Sequence, residues 1–89
     1  MELLWYKFNF REKRFFDQFH SAFKTMLANI ENDRGNTIYL SPNLWDFSVA
    51  YISLNADNIS DFDFFLEEYS AEQCDKPVEL KYFDGNPPL

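Results

Sequence analysis

The spacing of hydrophobic positions changes along the chain, and each change marks an element. Leu4, Tyr6, Phe8 and Phe10 alternate with Leu3, Trp5, Lys7 and Asn9, the two-residue period that predicts a strand over 2–9. Phe15, Phe16, Phe19, Ala22, Phe23, Met26, Leu27 and Ile30 then recur every three or four positions, which predicts an amphipathic helix. Asn9 and Glu12, three apart, resemble a capping box at its start, and Gly35 in Asp33-Arg34-Gly35-Asn36 suits a left-handed stop at its end. Thr37–Leu40 reads as a short strand and Ser41-Pro42-Asn43 as a turn. Trp45–Leu54 reads as a longer strand with Trp45, Phe47, Val49 and Tyr51 on one face, so that the two strands form a hairpin.

Asn55–Ser60 supplies turn and cap residues, and Ile59, Phe62, Phe65, Leu66 and Tyr69 mark a second helix running to about Glu72. Lys76-Pro77 breaks the chain before Val78–Phe83, a last strand. Residues 84–89 have no periodicity and are expected to form a flexible tail. The order strand, helix, strand, strand, helix, strand is that of two split βαβ units. The expected fold class is therefore α+β, a βαββαβ ferredoxin-like sandwich with a four-stranded antiparallel sheet under two helices, as a single domain over 1–83.

Composition narrows the chemistry. The 89 residues include eleven Phe, and aromatics make up 20%, so the core is expected to be built from large rings that bury much area in a short chain. Two glycines leave no phosphate-cradling loop. One cysteine, Cys74, allows no internal disulfide, and nearby Asp75 disfavours its thiolate. No basic start with an apolar run marks a signal peptide, and no apolar run approaches membrane-spanning length, so a cytoplasmic protein with no membrane contact is expected.

The charge is lopsided. Residues 1–34 carry six basic and five acidic side chains, residues 35–89 two and ten, for a total of −7. Between Asp57 and Asp75 stand seven carboxylates and no basic residue. On a helical wheel Asp61, Phe64, Glu68 and Glu72 fall on one side, which would leave the Phe64 ring exposed among carboxylates. A ring supplies desolvated contact area and flanking charges select a basic partner. The candidate partner-binding residues are Asp57, Asp61, Asp63, Phe64, Glu68 and Glu72.

Other constellations point less far. Asp61 and Asp63 lie two apart on a helix and cannot share a metal ion. His20 and Cys74 are single, short of a zinc ligand set, and the serines lack a nucleophile-elbow context. No catalytic residue, metal or cofactor is expected, and so no enzyme. Lys7, Arg11, Lys13 and Arg14 among Trp5, Tyr6, Phe8 and Phe10 form a basic and aromatic cluster. The strand order is also similar to that of RNA-recognition domains, with Phe47, Val49 and Tyr51 at the stacking alternation. The chain departs from that pattern at Trp45, Asp46 and Ser48, and its net charge repels phosphate, so no direct contact with nucleic acid is expected. The expected function is inhibition of a basic partner, such as a nuclease toxin, by an immunity or antitoxin-type or phage anti-defence protein that occupies a phosphate-binding groove. The alternative is an interaction module or assembly subunit that uses the open sheet face, with Trp5 or Trp45 and Tyr51. A second copy of the chain is a further candidate partner.

Overall fold

The computed structural model describes residues 1–41 and 46–88. In chain order these form β1 (Leu3–Asn9), α1 (Lys13–Leu27), β2 (Thr37–Leu40), β3 (Val49–Asn55), a 3₁₀ segment (Ala56–Phe62) running into α2 (Asp63–Glu68), β4 (Glu72–Cys74) and β5 (Lys81–Gly85). The class is α+β, with one antiparallel sheet in the order β4-β1-β3-β2-β5. The expected four-stranded ferredoxin-like sheet is thus corrected to five strands. The extra one is β4, a three-residue strand that pairs with Trp5–Lys7. The run expected as the fourth strand starts later, at Lys81, and is the fifth.

Alternation along β1 and β3 separates the two faces. Phe8, Ala50, Ile52 and Leu54 point to the helices together with Ile38 and Leu40 of β2, and all are buried. From α1 come Phe16, Phe19 and Phe23, also buried. The rings interlock: Phe8 and Phe19 are 4.6 Å apart between centroids, Phe19 and Phe65 5.2 Å, and Phe23 and Phe62 5.7 Å. Each buried Phe contributes about 1.5–3 kcal/mol of burial free energy. Phe47 joins this side, 4.8 Å from Phe16, and precedes β3, so it does not share a strand face with Tyr51. Trp45 lies outside the described residues.

The ends of α1 differ from expectation. Asn9 is the last residue of β1, and the position before the helix is Glu12, whose side chain makes no capping hydrogen bond. The helix stops at Leu27, eight positions before Gly35, so Gly35 is no helix stop. Its φ of +86° instead serves the turn into β2.

Because β4 and β5 lie at opposite edges, residues 75–80 must cross the sheet face away from the helices. Lys76, Pro77, Val78 and Leu80 line a hollow there with Leu3, Trp5 and Tyr39. The Trp5 ring lies 5.2 Å from Tyr39 and 6.0 Å from the Lys76 ammonium, and Trp5 is only 8% exposed. The sheet face expected to be open is therefore strapped across its middle.

A buried polar network fixes the end of the sheet beneath the 3₁₀ segment. Asn36 Nδ2 donates to Asn58 Oδ1 at 2.9 Å, and Asn36 Oδ1 accepts from the Asn55 N–H at 2.8 Å. Asp84 and Gly85, expected in the tail, complete β5. Beyond them the Asn86 N–H donates to the Asn36 carbonyl at 3.0 Å and Asn86 Nδ2 to Asp33 at 2.8 Å.

Candidate interaction surface

The acidic segment owes its position to four apolar anchors and two polar ends. Asn55 Oδ1 accepts from the Asp57 N–H at 3.0 Å, a side-chain cap on the 3₁₀ turn. Phe62 and Phe65 are buried, and Ile59 and Leu66 pack against the same core. At the far end Ser70 takes a φ of +55°. The Ala71 N–H donates to the Leu66 carbonyl at 2.9 Å and the Ser70 N–H to the Glu67 carbonyl at 3.2 Å. That pair of bonds is a Schellman stop, and it ends α2 four residues before the expected limit.

These endings rearrange the expected site. Phe64 is 88% exposed, with Asp61 one turn before it and Glu67 and Glu68 one turn after, all exposed. Asp57 is exposed at the start of the 3₁₀ segment. The single wheel of carboxylates does not form, because three residues per turn up to Phe62 give way to 3.6 beyond it. Asp61 borders a hollow with Met26, Asn29 and Ile30 at the end of α1. Asp63 stands near Tyr6 of β1 and helps burial raise that phenol's pKa. Glu68 borders a different hollow, with Arg11 and Phe15 at the start of α1. Glu72 leaves the group altogether: it lies in β4 opposite Lys7 of β1. The structure thus keeps Asp61, Asp63, Phe64 and Glu68 on one exposed stretch, with Glu67 added and Asp57 at its 3₁₀ start, and carries Glu72 away into β4. Glu67 was missed because its wheel position falls between the two faces.

The basic residues cluster at the start of α1, where Arg11 and Glu68 line one hollow. Lys13 pairs with Asp17 at 3.0 Å and lies 5.1 Å from the Phe47 ring. Arg14 pairs with Glu12 at 2.6 Å and lies 4.9 Å from the Phe15 ring. No ion pair links this cluster to the acidic segment among the described residues.

A second polar cluster joins α1 to β5. His20 Nε2 and Asp84 Oδ2 are 2.8 Å apart, and Lys24 Nζ is 3.4 Å from the same oxygen. The imidazole packs between Phe83 at 5.0 Å and Phe16 at 5.8 Å. Burial pulls the Asp84 pKa up, but the hydrogen bonds from His20 and the Gly85 N–H and the Lys24 charge outweigh it, and the carboxyl titrates below its usual range. A carboxylate whose folded pKa is depressed adds stability above its unfolded pKa, and that stability is lost as pH falls through the folded value. Asp84→Asn is therefore expected to lower stability at neutral pH and to narrow the gap to the parent below about pH 4, the ordinary Asp range. Urea midpoints taken from neutral to acid pH check this, and a gap that stays constant would remove Asp84 as its source. With Lys24, the histidine and carboxylate tie α1 to β5 as a clasp.

Cys74 sits in β4, not after a helix end as expected. Burial, then the Asp75 charge, push its thiol pKa up against the opposing pull of Lys7, so it is held as the weakly nucleophilic thiol. Among the described residues no group of three or more His, Cys, Asp or Glu could hold a metal ion, and no helix is long and apolar enough to cross a membrane. No protein-family model matches the chain, and neither does any curated protein or solved structure.

Proposed function

We propose that this chain is a small acidic binding protein that inhibits a basic, nucleic-acid-handling partner, of the immunity, antitoxin or phage anti-defence type. The observation that carries the reading is Phe64: a large ring 88% exposed on a segment whose exposed neighbours are carboxylates. An isolated ring in water contributes nothing to the fold, whereas desolvated in a partner's pocket it anchors binding. Carboxylates around it speed encounter with a basic groove and stand where phosphates would. The work of such a protein is occupancy, which needs neither cofactor nor catalytic group.

The sheet-face alternative has less to offer. The strap already covers Trp5, and what remains exposed is Val78 on the strap itself at 99% and the edge residue Tyr82 at 49%, with half-buried Tyr39 and Tyr51.

The test is capture from source-cell lysate at low and high salt with the parent, Phe64→Ser and Asp61→Lys/Glu68→Lys, followed by assay of the captured protein's nucleic-acid cleavage with and without the parent. The expected result is a basic protein held by the parent, released by salt and inhibited in cleavage. Phe64→Ser should cost at least about 2 kcal/mol, roughly thirtyfold in affinity. Equal retention by all three, or capture without inhibition, would refute the inhibitor.

A further inference from the structure

The strap is held differently from the strands around it. Residues 75–80 make no backbone hydrogen bond and no ion pair among the described residues. Val78, near their middle, is 99% exposed. What keeps the strap down is Pro77 and Leu80 beside Trp5 and Tyr39, with the Lys76 ammonium over the Trp5 ring. Its length fixes how far it can move. The ladder registers place Cys74 level with Trp5 at one edge of the sheet and Lys81 level with Phe8 at the other. The gaps between five strands and a shift of three residues along them put these ends about 22 Å apart, while the seven Cα steps from Cys74 to Lys81 reach at most about 25 Å. A strap that must also clear a layer of side chains has almost no slack, and the bend at Val78 and Glu79 takes up part of what there is.

Trp5 is therefore uncovered only when one end of the strap lets go, and the two ends are unequal. β5 is tied down by the His20 and Asp84 clasp at 2.8 Å and, past its end, by the Asn86 N–H on the Asn36 carbonyl at 3.0 Å. β4 is three residues long, with Glu72 and Gln73 exposed, and among the described residues its ladder partners are Trp5–Lys7 alone. The bonds it makes follow from the ladder on the other side of β1. The Glu2 carbonyl and the Phe10 N–H both bond on the β3 side, so by the alternation of an antiparallel strand Tyr6 and Phe8 also turn to β3, and Trp5 and Lys7 turn to β4. We propose that β4 and the strap are one latch, which opens from β1 as a unit while the other four strands stay paired, and which bares the Trp5 ring and the outer edge of β1 in the same event. Closed, the latch keeps that edge from pairing with other chains, the hazard of any unpaired strand. The inference does not rest on the inhibitor reading, since neither β4 nor the strap carries Phe64.

Native-state hydrogen exchange of the full chain, followed by NMR in rising but sub-denaturing urea, tests this. The Trp5, Lys7, Glu72 and Cys74 amides should exchange together, at least about tenfold faster than those of Tyr6 and Phe8, with one shared urea slope smaller than that of global unfolding. Leu80→Ala removes packing that only the closed strap makes. It should speed all four amides by the same factor by which it speeds Tyr6 and Phe8, about five- to tenfold, because the latch-open and unfolded states both lack that packing. Exchange of the four only at the rate and slope of Tyr6 and Phe8 overturns the latch. Exchange of Trp5 and Lys7 apart from Glu72 and Cys74 overturns the single unit. Four amides that keep their parent rates in Leu80→Ala, while Tyr6 and Phe8 speed up, would show that β4 opens without the strap and overturn the link between them.

Discussion

Phe19→Ala is expected to take away most of the free energy that holds the chain folded. Phe19 is fully buried, with ring centroids at 4.6 Å from Phe8, 5.0 Å from Phe10, 5.2 Å from Phe65 and 5.5 Å from Tyr69. It is the ring through which α1, β1 and α2 meet. Truncating a buried Phe to Ala costs about 3–5 kcal/mol, the lost burial plus the cavity left behind. A whole domain is stable by only about 5–15 kcal/mol, and a short chain sits low in that range. Urea unfolding followed by circular dichroism measures the loss. Phe64→Ala is the control: its ring is in water, and its midpoint should stay within about 0.5 kcal/mol of the parent. A Phe19→Ala protein as stable as Phe64→Ala would mean that the two helical segments do not meet through this ring.

The second large effect is expected at Gly85. Its φ is +118°, a conformation that side chains resist at a cost of about 1–3 kcal/mol. A Cβ placed there would lie 2.6 Å from the Asn36 carbonyl oxygen and 2.8 Å from the Thr37 Cα. One is in the paired strand β2 and the other is the carbonyl just before it, held by the Asn86 N–H, and as backbone atoms neither can turn aside. Gly85→Ala should therefore lift β5 from β2, and with it Asp84 from His20. Gly35 offers the comparison. Its φ is +86°, but the nearest atoms to its missing Cβ are the ends of the Leu3 and Met1 side chains at 2.7 and 2.9 Å, which can move. Gly85→Ala should lose more stability than Gly35→Ala, and its amide exchange should rise at Ile38 and Leu40. Equal losses would show that backbone conformation alone, and not the close approach of β5, sets the cost.

The parts of this architecture that sequence revealed are those where one period persists. The alternation in Leu3–Asn9 and the Phe16, Phe19, Phe23 stripe give β1 and α1, because burial on one face imposes period two or period 3.6 over many residues. β4 was hidden because three residues, Glu72-Gln73-Cys74, are too few to show alternation, and their exposed positions carry no hydrophobic signal. The break at Ser70 was hidden for another reason: nothing in a serine announces a positive φ, and the carboxylates on both sides continue the composition of the helix. The exposure of Phe64 was legible from its position opposite Phe62, Phe65 and Leu66. The separation of Glu72 from Phe64 was not, since it depends on that stop. The His20 and Asp84 clasp joins residues that only the pairing of β5 with β2 brings together, and no local spacing encodes such a pairing.

The order of the strands also bears on how quickly the chain can find this fold. Apart from the β2 and β3 hairpin, each ladder joins distant segments: Leu3 to Asn55, Trp5 to Cys74, Thr37 to Gly85. Loop entropy must be lost before such contacts stabilise anything, which places refolding toward the millisecond-to-second end of the range for small domains. The hairpin is the one local ladder, whereas Phe8 and Phe65, 6.1 Å apart between centroids, are far apart in sequence. The segment bearing Phe64 lies in the connection between β3 and β4, and its seat on Phe8 and Phe19 through Phe65 is itself a long-range contact.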